Sequence, residues 1–260
     1  MDPYEGISEE LWLGKTKELI SNHPLTPHIK DLCLNSWKSV LGGRINNQLN
    51  KLIGNMRLSP QATGALLHDV LSEYIEKYVS EGIIQERFRK GDGKNEKDIV
   101  CEYDDSLSLE IKTSSQGKIF GNRSYVKSYS GKEKSGYYVA INFEKISRRD
   151  DFNSPEILLI KMGWLKHTDW IGQTSEKGQQ AALREGIWEK KLVEIYRLKI
   201  NINTADSERL QVLEQVGEKT ARMIVEYREA IGGFKKIEDI IGAYRIKESI
   251  FEGFRDIIIV

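Results

Sequence analysis

The sequence predicts an α/β domain followed by a small all-helical module. Three observations carry this. Apolar residues recur at helical spacing in the N-terminal third, the period changes to two beyond about residue 98, and short glycine-punctuated helical stretches return after Ile200. A chain of 260 residues accommodates one large domain or two smaller ones. The change of character places the boundary near Leu198, with a first domain over 1–198 and a second over 199–260.

Taken in order, Ser59-Pro60 supplies a helix N-cap and a first-turn proline. Leu66, Leu67, Val70, Leu71, Tyr74, Ile75 and Tyr78 then follow at three- and four-residue spacing, which predicts an amphipathic helix to about Val79. Gly91-Asp92-Gly93 breaks the chain, Asp98 to Tyr103 reads as a strand, and Asp104-Asp105-Ser106 reads as a turn. Leu107, Leu109 and Ile111 alternate with Ser108, Glu110 and Lys112 in the next strand. Tyr137 to Phe143 and Ile157 to Lys161 are further strands. Past Ile200, the glycines at 217, 232, 233, 242 and 253 separate short helices.

Composition narrows the function classes. Lys plus Arg and Asp plus Glu are both 39, so the chain as a whole is neither polybasic nor an acidic tail protein. Charged residues at 30% against 39% hydrophobic match a globular domain with a core. No apolar run approaches the 18 or so residues of a membrane span, so no membrane association is expected. The start, Met-Asp-Pro-Tyr-Glu-Gly, is too polar for a secretory signal. Cys33 and Cys101 lie far apart without ligand spacing. A cytoplasmic protein is expected. Neutrality hides a local excess: from Lys112 to Arg149 there are nine basic and two acidic residues, interleaved with Phe120, Tyr125, Tyr129, Tyr137 and Tyr138. Such a stretch suits a phosphate backbone and exposed bases, with Lys118, Arg123 and Lys127 as contacts.

The chemistry concentrates between Lys97 and Lys112. Period two places Glu110 and Lys112 on one strand face while Leu107, Leu109 and Ile111 point to the core. A hairpin loop with an odd number of residues puts Asp98 across from Glu110 on that face, with Cβ atoms about 5 Å apart. Two carboxylates so placed can share Mg²⁺, which binds few carboxylates and takes remaining ligands from water and phosphate. A phosphodiester repels hydroxide, so its hydrolysis uses a metal to neutralise phosphoryl oxygens and acidify the attacking water. Lys112 can orient or help deprotonate that water and stabilise developing charge. His68 and His167 show no partner spacing and read as structural. Gln116 suits either a substrate contact or a helix cap.

An Asp followed by Glu-x-Lys on the next strand resembles the PD-(D/E)xK nuclease superfamily, with Lys97 where the motif's proline usually stands. Together with Thr113-Ser114-Ser115 and the apolar stretch from Ile157 to Leu165, the motif looks like a type II restriction endonuclease, most of all the ScaI kind. The resemblance implies a restriction-endonuclease-like core, with a central mixed sheet flanked by helices. It also implies a helix glutamate at the metal site, for which Glu73 is the candidate. Asn201-Ile202-Asn203-Thr204-Ala205, Leu210, Leu213, Val216-Gly217, Ala221, Ile224, Tyr227-Arg228, Gly233-Phe234 and Glu238-Asp239-Ile240 resemble the helix-hairpin-helix domain of bacterial competence receptors. Such a hairpin exposes backbone N–H groups at a helix start and holds DNA phosphate without reading sequence. It should lie at Val216, Gly217 and Lys219. Gln215 stands where the family usually has glycine, and if Gly217 adopts positive φ, Gly217→Val would strain the hairpin.

The resemblance implies a Mg²⁺-dependent type II endonuclease that cuts double-stranded DNA as a homodimer, since symmetric sites call for two-fold symmetric protein. Two other readings stay open: a structure-specific repair or recombination nuclease, and a non-catalytic DNA-binding protein.

Overall fold

The computed structural model describes residues 2–45, 51–56, 58–92, 96–126, 135–144, 155–172, 180–213, 215–243 and 246–260. The chain forms two compact units, Met1–Tyr196 and Arg197–Val260.

In the first unit three helices, α1 (Trp12–Ser21), α2 (Ile29–Gly42) and α3 (Pro60–Ser80), precede the sheet. The sequence signal for α3 is realised in its cap: Ser59 Oγ accepts from the Ala62 amide at 3.2 Å, and Pro60 opens the first turn. Leu67, Leu71 and Ile75 recur on one face and are fully buried, each stabilising the fold by about 2 kcal/mol through burial.

The principal strands are β1 (Phe88–Lys90), β2 (Ile99–Cys101), β3 (Leu109–Ser114), β4 (Phe120–Asn122), β5 (Gly136–Phe143), β6 (Ile157–Leu165), β7 (Trp170–Gly172), β8 (Gln180–Leu183) and β9 (Leu192–Arg197), with the one-turn helix α4 (Ile187–Lys190) between the last two. Six of them form a mixed sheet in the order β9-β6-β5-β3-β2-β1. β3 and β5 run parallel, while β1–β2, β2–β3 and β5–β6 are antiparallel. Strands β4, β8 and β7 form a smaller antiparallel sheet.

Alternation sorts the central strands between two cores. Leu109, Ile111, Tyr137, Val139, Ile141 and Phe143 pack with the helical residues Leu32, Trp37, Leu67, Leu71 and Ile75. Tyr138 and Ala140 point the other way and pack with Ile119, Tyr125, Trp170, Ala181, Trp188 and Leu192. Both faces of the sheet are therefore covered, and β5 is buried along its whole length. Leu107 is only half-buried, because it closes a 3₁₀ turn (Asp105–Leu107) and does not belong to the strand.

The second unit holds α5 (Ser207–Leu210), α6 (Glu218–Ile231) and α7 (Glu248–Phe254). It is not purely helical: Ile200–Asn201 (β10) and Ile258–Ile259 (β11) form a short parallel pair that ties its ends together. Its own core gathers Ile202, Leu210, Leu213, Ile224, Phe234, Ile240, Phe251 and Phe254. Two polar residues explain much of the motif spacing in the sequence. Asn203 exchanges hydrogen bonds with the Phe234 backbone (Oδ1 from N at 2.7 Å, Nδ2 to O at 2.9 Å). Arg228 Nη1 donates to the carbonyls of Ile202 and Ala205 at 2.9 and 2.8 Å. These satisfy backbone groups that the turns leave open. Among the described residues, no helix is long and apolar enough to cross a membrane.

Candidate active site

Strands β2 and β3 pair with Ile99 opposite Leu109. One residue further out, that register sets Asp98 opposite Glu110, as an odd-numbered loop requires. Glu110 and Lys112 share the face of β3 that lies under the second core, because their β5 partners are Tyr138 and Ala140. Glu110 is 1% exposed, a costly position for a carboxylate unless charges and hydrogen bonds meet it.

They do. Lys112 Nζ lies 3.1 Å from Glu110 Oε2, 3.5 Å from Asp98 Oδ2 and 2.9 Å from the Ile111 carbonyl oxygen. The Ile111 amide donates to Asp98 Oδ2 at 2.8 Å, and Tyr125 Oη donates to Glu110 Oε2 at 2.8 Å. The same ammonium sits 5.2 Å from the centre of the Tyr125 ring, within cation–π range. Tyr125 is set in place by Gly121 on β4. A Cβ at residue 121 would lie 3.0 Å from the Tyr125 ring and 3.2 Å from Trp170, so glycine leaves the room in which the two rings pack edge to face at 5.1 Å.

The electrostatics follow from this crowding. Burial by itself would raise the Asp98 carboxyl, but hydrogen bonding from His68, the Lys112 ammonium and the Ile111 amide hold it well below the usual carboxylate range. Burial would likewise release the Lys112 proton. The charges of Asp98 and Glu110, with Tyr125 beside them, outweigh it and keep the ammonium protonated far above neutrality. The Tyr125 phenol is pushed up, first by burial and further by Glu110.

The donor set fits a hard divalent cation. Two carboxylates and one main-chain carbonyl already converge on a single positive charge, the lysine ammonium, and all three are oxygens. Among the described residues, no group of three or more His, Cys, Asp or Glu side chains is arranged to hold a metal. A cation here would therefore use Asp98, Glu110 and the Ile111 carbonyl and complete its shell from water and phosphate.

Other sequence-predicted residues fall elsewhere. Glu73 is exposed on α3 and acts electrostatically on Lys90. The side chain that α3 does bring to the site is His68, with Nε2 3.4 Å from Asp98 Oδ2. Five residues separate the two, which turns Glu73 about 140° away around a helix. His68 and Tyr125 are the neighbours that sequence reasoning missed as site residues. The signal for His68 was Gly64, one turn earlier, a glycine inside a helix that marks a close approach. Lys118 is exposed, Gln116 is exposed just past β3, and the backbone of Arg123 opens a 3₁₀ turn (Arg123–Val126). Lys127 lies outside the described residues.

In the second unit the hairpin precedes α6, which Gly217 caps with φ −86°. Gly217 is therefore not left-handed, and positive φ falls instead on Gln215, at 61°. Val216 is buried, while Gln215, Gly217 and Lys219 are exposed.

A mixed sheet whose central strands carry facing carboxylates and a lysine belongs to the restriction-endonuclease-like class of DNA hydrolases. The ScaI restriction endonuclease family matches residues 2–196 and the helix-hairpin-helix motif matches residues 196–258. The chain thus belongs to the ScaI restriction endonuclease family, a family of site-specific DNA endonucleases, with a helix-hairpin-helix unit following the nuclease unit. It is 38% identical over 200 residues to the type II restriction enzyme ScaI of Streptomyces caespitosus, covering 75% of this chain and 84% of that one. The second unit is 49% identical over 59 residues to human endonuclease/exonuclease/phosphatase family domain-containing protein 1, covering 21% of this chain and 10% of that protein. It is also 44% identical over 61 residues to ComE operon protein 1 of Bacillus subtilis, covering 24% of this chain and 30% of that one. No solved structure matches.

Proposed function

We propose that the protein is a Mg²⁺-dependent type II restriction endonuclease that hydrolyses phosphodiester bonds at a specific site in double-stranded DNA, acting as a cytoplasmic homodimer. The observation that carries this reading is the convergence of Asp98, Glu110 and the Ile111 carbonyl on one positive charge, on the sheet of a chain of this family.

Asp98, Glu110 and the Ile111 carbonyl would hold Mg²⁺. When bound, the ion supplies neutralisation of the phosphoryl oxygens and a more acidic water. Lys112 keeps its proton, so it serves the reaction as a cation and hydrogen-bond donor that orients the nucleophile and meets developing charge. Tyr125 fixes the Glu110 carboxylate and roofs the site against water. Lys118, Arg123 and Lys127 supply phosphate contacts close in sequence to the catalytic strand. The Val216–Lys219 hairpin offers main-chain N–H groups to a further phosphate, which adds affinity without base readout. A symmetric recognition site calls for two copies of the chain about a two-fold axis.

Incubation of supercoiled plasmid with the protein and Mg²⁺ tests the reading, followed by sequencing of the ends. Discrete fragments with one shared end sequence are expected. Cleavage confined to branched or damaged substrates would replace the reading with a repair nuclease, and no cleavage would leave a DNA-binding protein.

A further inference from the structure

We infer that His68 is a positioning residue for Asp98, reaching it from α3. The inference rests on the reading of Asp98 and Glu110 as cation ligands.

The approach is built into the helix. Gly64 packs on β3 so closely that a Cβ there would lie 2.4 Å from Thr113 Oγ1. His68 follows four residues later on the same helix face, and its Nε2 comes to 3.4 Å from Asp98 Oδ2. Its other ring nitrogen, Nδ1, faces Asp69 Oδ1 at 3.6 Å. Asp69 is held in turn by Lys90 Nζ at 2.8 Å. The Lys90 amide also donates to Glu76 Oε1 at 2.7 Å, so Lys90 ties β1 to α3 at two points. The imidazole thus lies between two carboxylates, with its closer approach at Asp98.

The need for such a holder follows from the rest of the site. Asp98 Oδ2 is met by Ile111 N, Lys112 Nζ and His68 Nε2. Lys112 must turn toward water and phosphate during the reaction. The carboxylate then keeps the strand amide and His68, and only His68 approaches from outside the sheet. With its side chain 26% exposed, His68 contributes little to the hydrophobic core. Its effect should fall on cation affinity and leave the chemical step largely unchanged.

Calorimetric titration of the intact chain with Ca²⁺, alongside Mg²⁺-dependence curves for cleavage, tests this. His68→Ala should weaken Ca²⁺ binding by roughly tenfold or more and raise the Mg²⁺ concentration for half-maximal cleavage by a similar factor. Its rate at saturating Mg²⁺ should stay within a few-fold of wild type. His68→Gln, whose amide N–H can still donate to Asp98, should recover most of the Ca²⁺ affinity. A merely structural histidine would lower the melting temperature of both variants without separating them in Ca²⁺ affinity. If Asp98→Ala abolishes Ca²⁺ binding while His68→Ala keeps wild-type affinity, the role of His68 is overturned and the cation reading stands. If Asp98→Ala itself binds Ca²⁺ normally, the cation reading falls and the inference with it.

Discussion

The two units of this chain differ in where their functional residues place charge. The nuclease unit buries it: Glu110 beneath Tyr125, Lys112 among three oxygens, and Lys191 fully enclosed, 2.9 Å from Asp169 and 4.3 Å from the centre of the Trp12 ring. In the helix-hairpin-helix unit, pairs such as Glu218–Arg222 and Glu252–Arg255 lie on the surface. Its half-buried Arg228 serves backbone carbonyls. Cleaving a phosphodiester needs charges preorganised away from water, where their interactions are strong. Gripping a phosphate with main-chain N–H groups needs only a turn of the right shape. One unit should therefore be sensitive to the loss of a single charge, the other to backbone geometry.

The largest effect expected is at the buried charges. Asp98→Ala, Glu110→Ala and Lys112→Met should each lower single-turnover cleavage by about 10³-fold or more, roughly 4 kcal/mol of transition-state stabilisation. Electrophoretic mobility shifts in metal-free buffer should show specific DNA binding retained, and strengthened for the two carboxylate variants that remove negative charge facing phosphate. Wild-type turnover by any of the three would move the chemistry elsewhere.

Protonation of a buried histidine should also act on the nuclease unit. His23 is buried, with Nε2 2.9 Å from the Leu107 carbonyl oxygen and Nδ1 accepting from the Leu25 amide at 3.2 Å. Burial lowers its pKa to about 4, against the favourable pull of the Leu107 carbonyl. The unfolded chain takes up this proton near pH 6.5 and the folded chain only near pH 4, so stability is full above pH 6.5 and falls as pH drops to 4. The loss should be about 3 kcal/mol. Urea midpoints at pH 7.5 and 4.5 should show it, and His23→Gln should be less stable at pH 7.5 yet less pH-dependent. All four histidines precede Arg197, so hydrogen exchange in α6 should not follow this titration. A parallel loss of protection there would break the contrast between the units.

Truncation after Leu198 should weaken binding to specific and non-specific DNA alike, by about tenfold. The salt dependence should flatten by roughly 0.9 for each phosphate the hairpin no longer grips. The fragments produced should be unchanged. A folded truncated enzyme that cuts at new sequences would make the second unit a base reader, and one that binds undiminished would make it a packing element.

The smallest effect sharpens the backbone side. Gln215 holds a left-handed conformation that costs an L-residue about 1 kcal/mol, partly offset for glycine by its greater unfolded entropy. Gln215→Gly should thus raise protection of α6 amides against hydrogen exchange by roughly 0.5 kcal/mol, without altering the site in the first unit. Reduced protection would show that the Gln215 side chain contributes more than its conformation costs.

What the sequence by itself determined is what short-range periodicity can encode. Ser59-Pro60 and the apolar spacing behind it define α3, and strict alternation around an odd-numbered loop sets Asp98 across from Glu110 with Lys112 on the same face. The motif spacing of the second unit is contained within one small core, where Asn203 holds the Phe234 backbone and Arg228 holds the carbonyls of Ile202 and Ala205. Tertiary structure decided what meets those residues from elsewhere in the chain. It roofs Glu110 with Tyr125 by way of the bare Cα of Gly121, and selects His68 over Glu73 through the contact of Gly64 with Thr113. It also assigns the left-handed turn residue to Gln215 and not Gly217. Side-chain direction along a strand has a period of two and is readable without a partner. Which residue of a helix touches a strand depends on the distance and angle of approach, and those are settled only when the two surfaces pack.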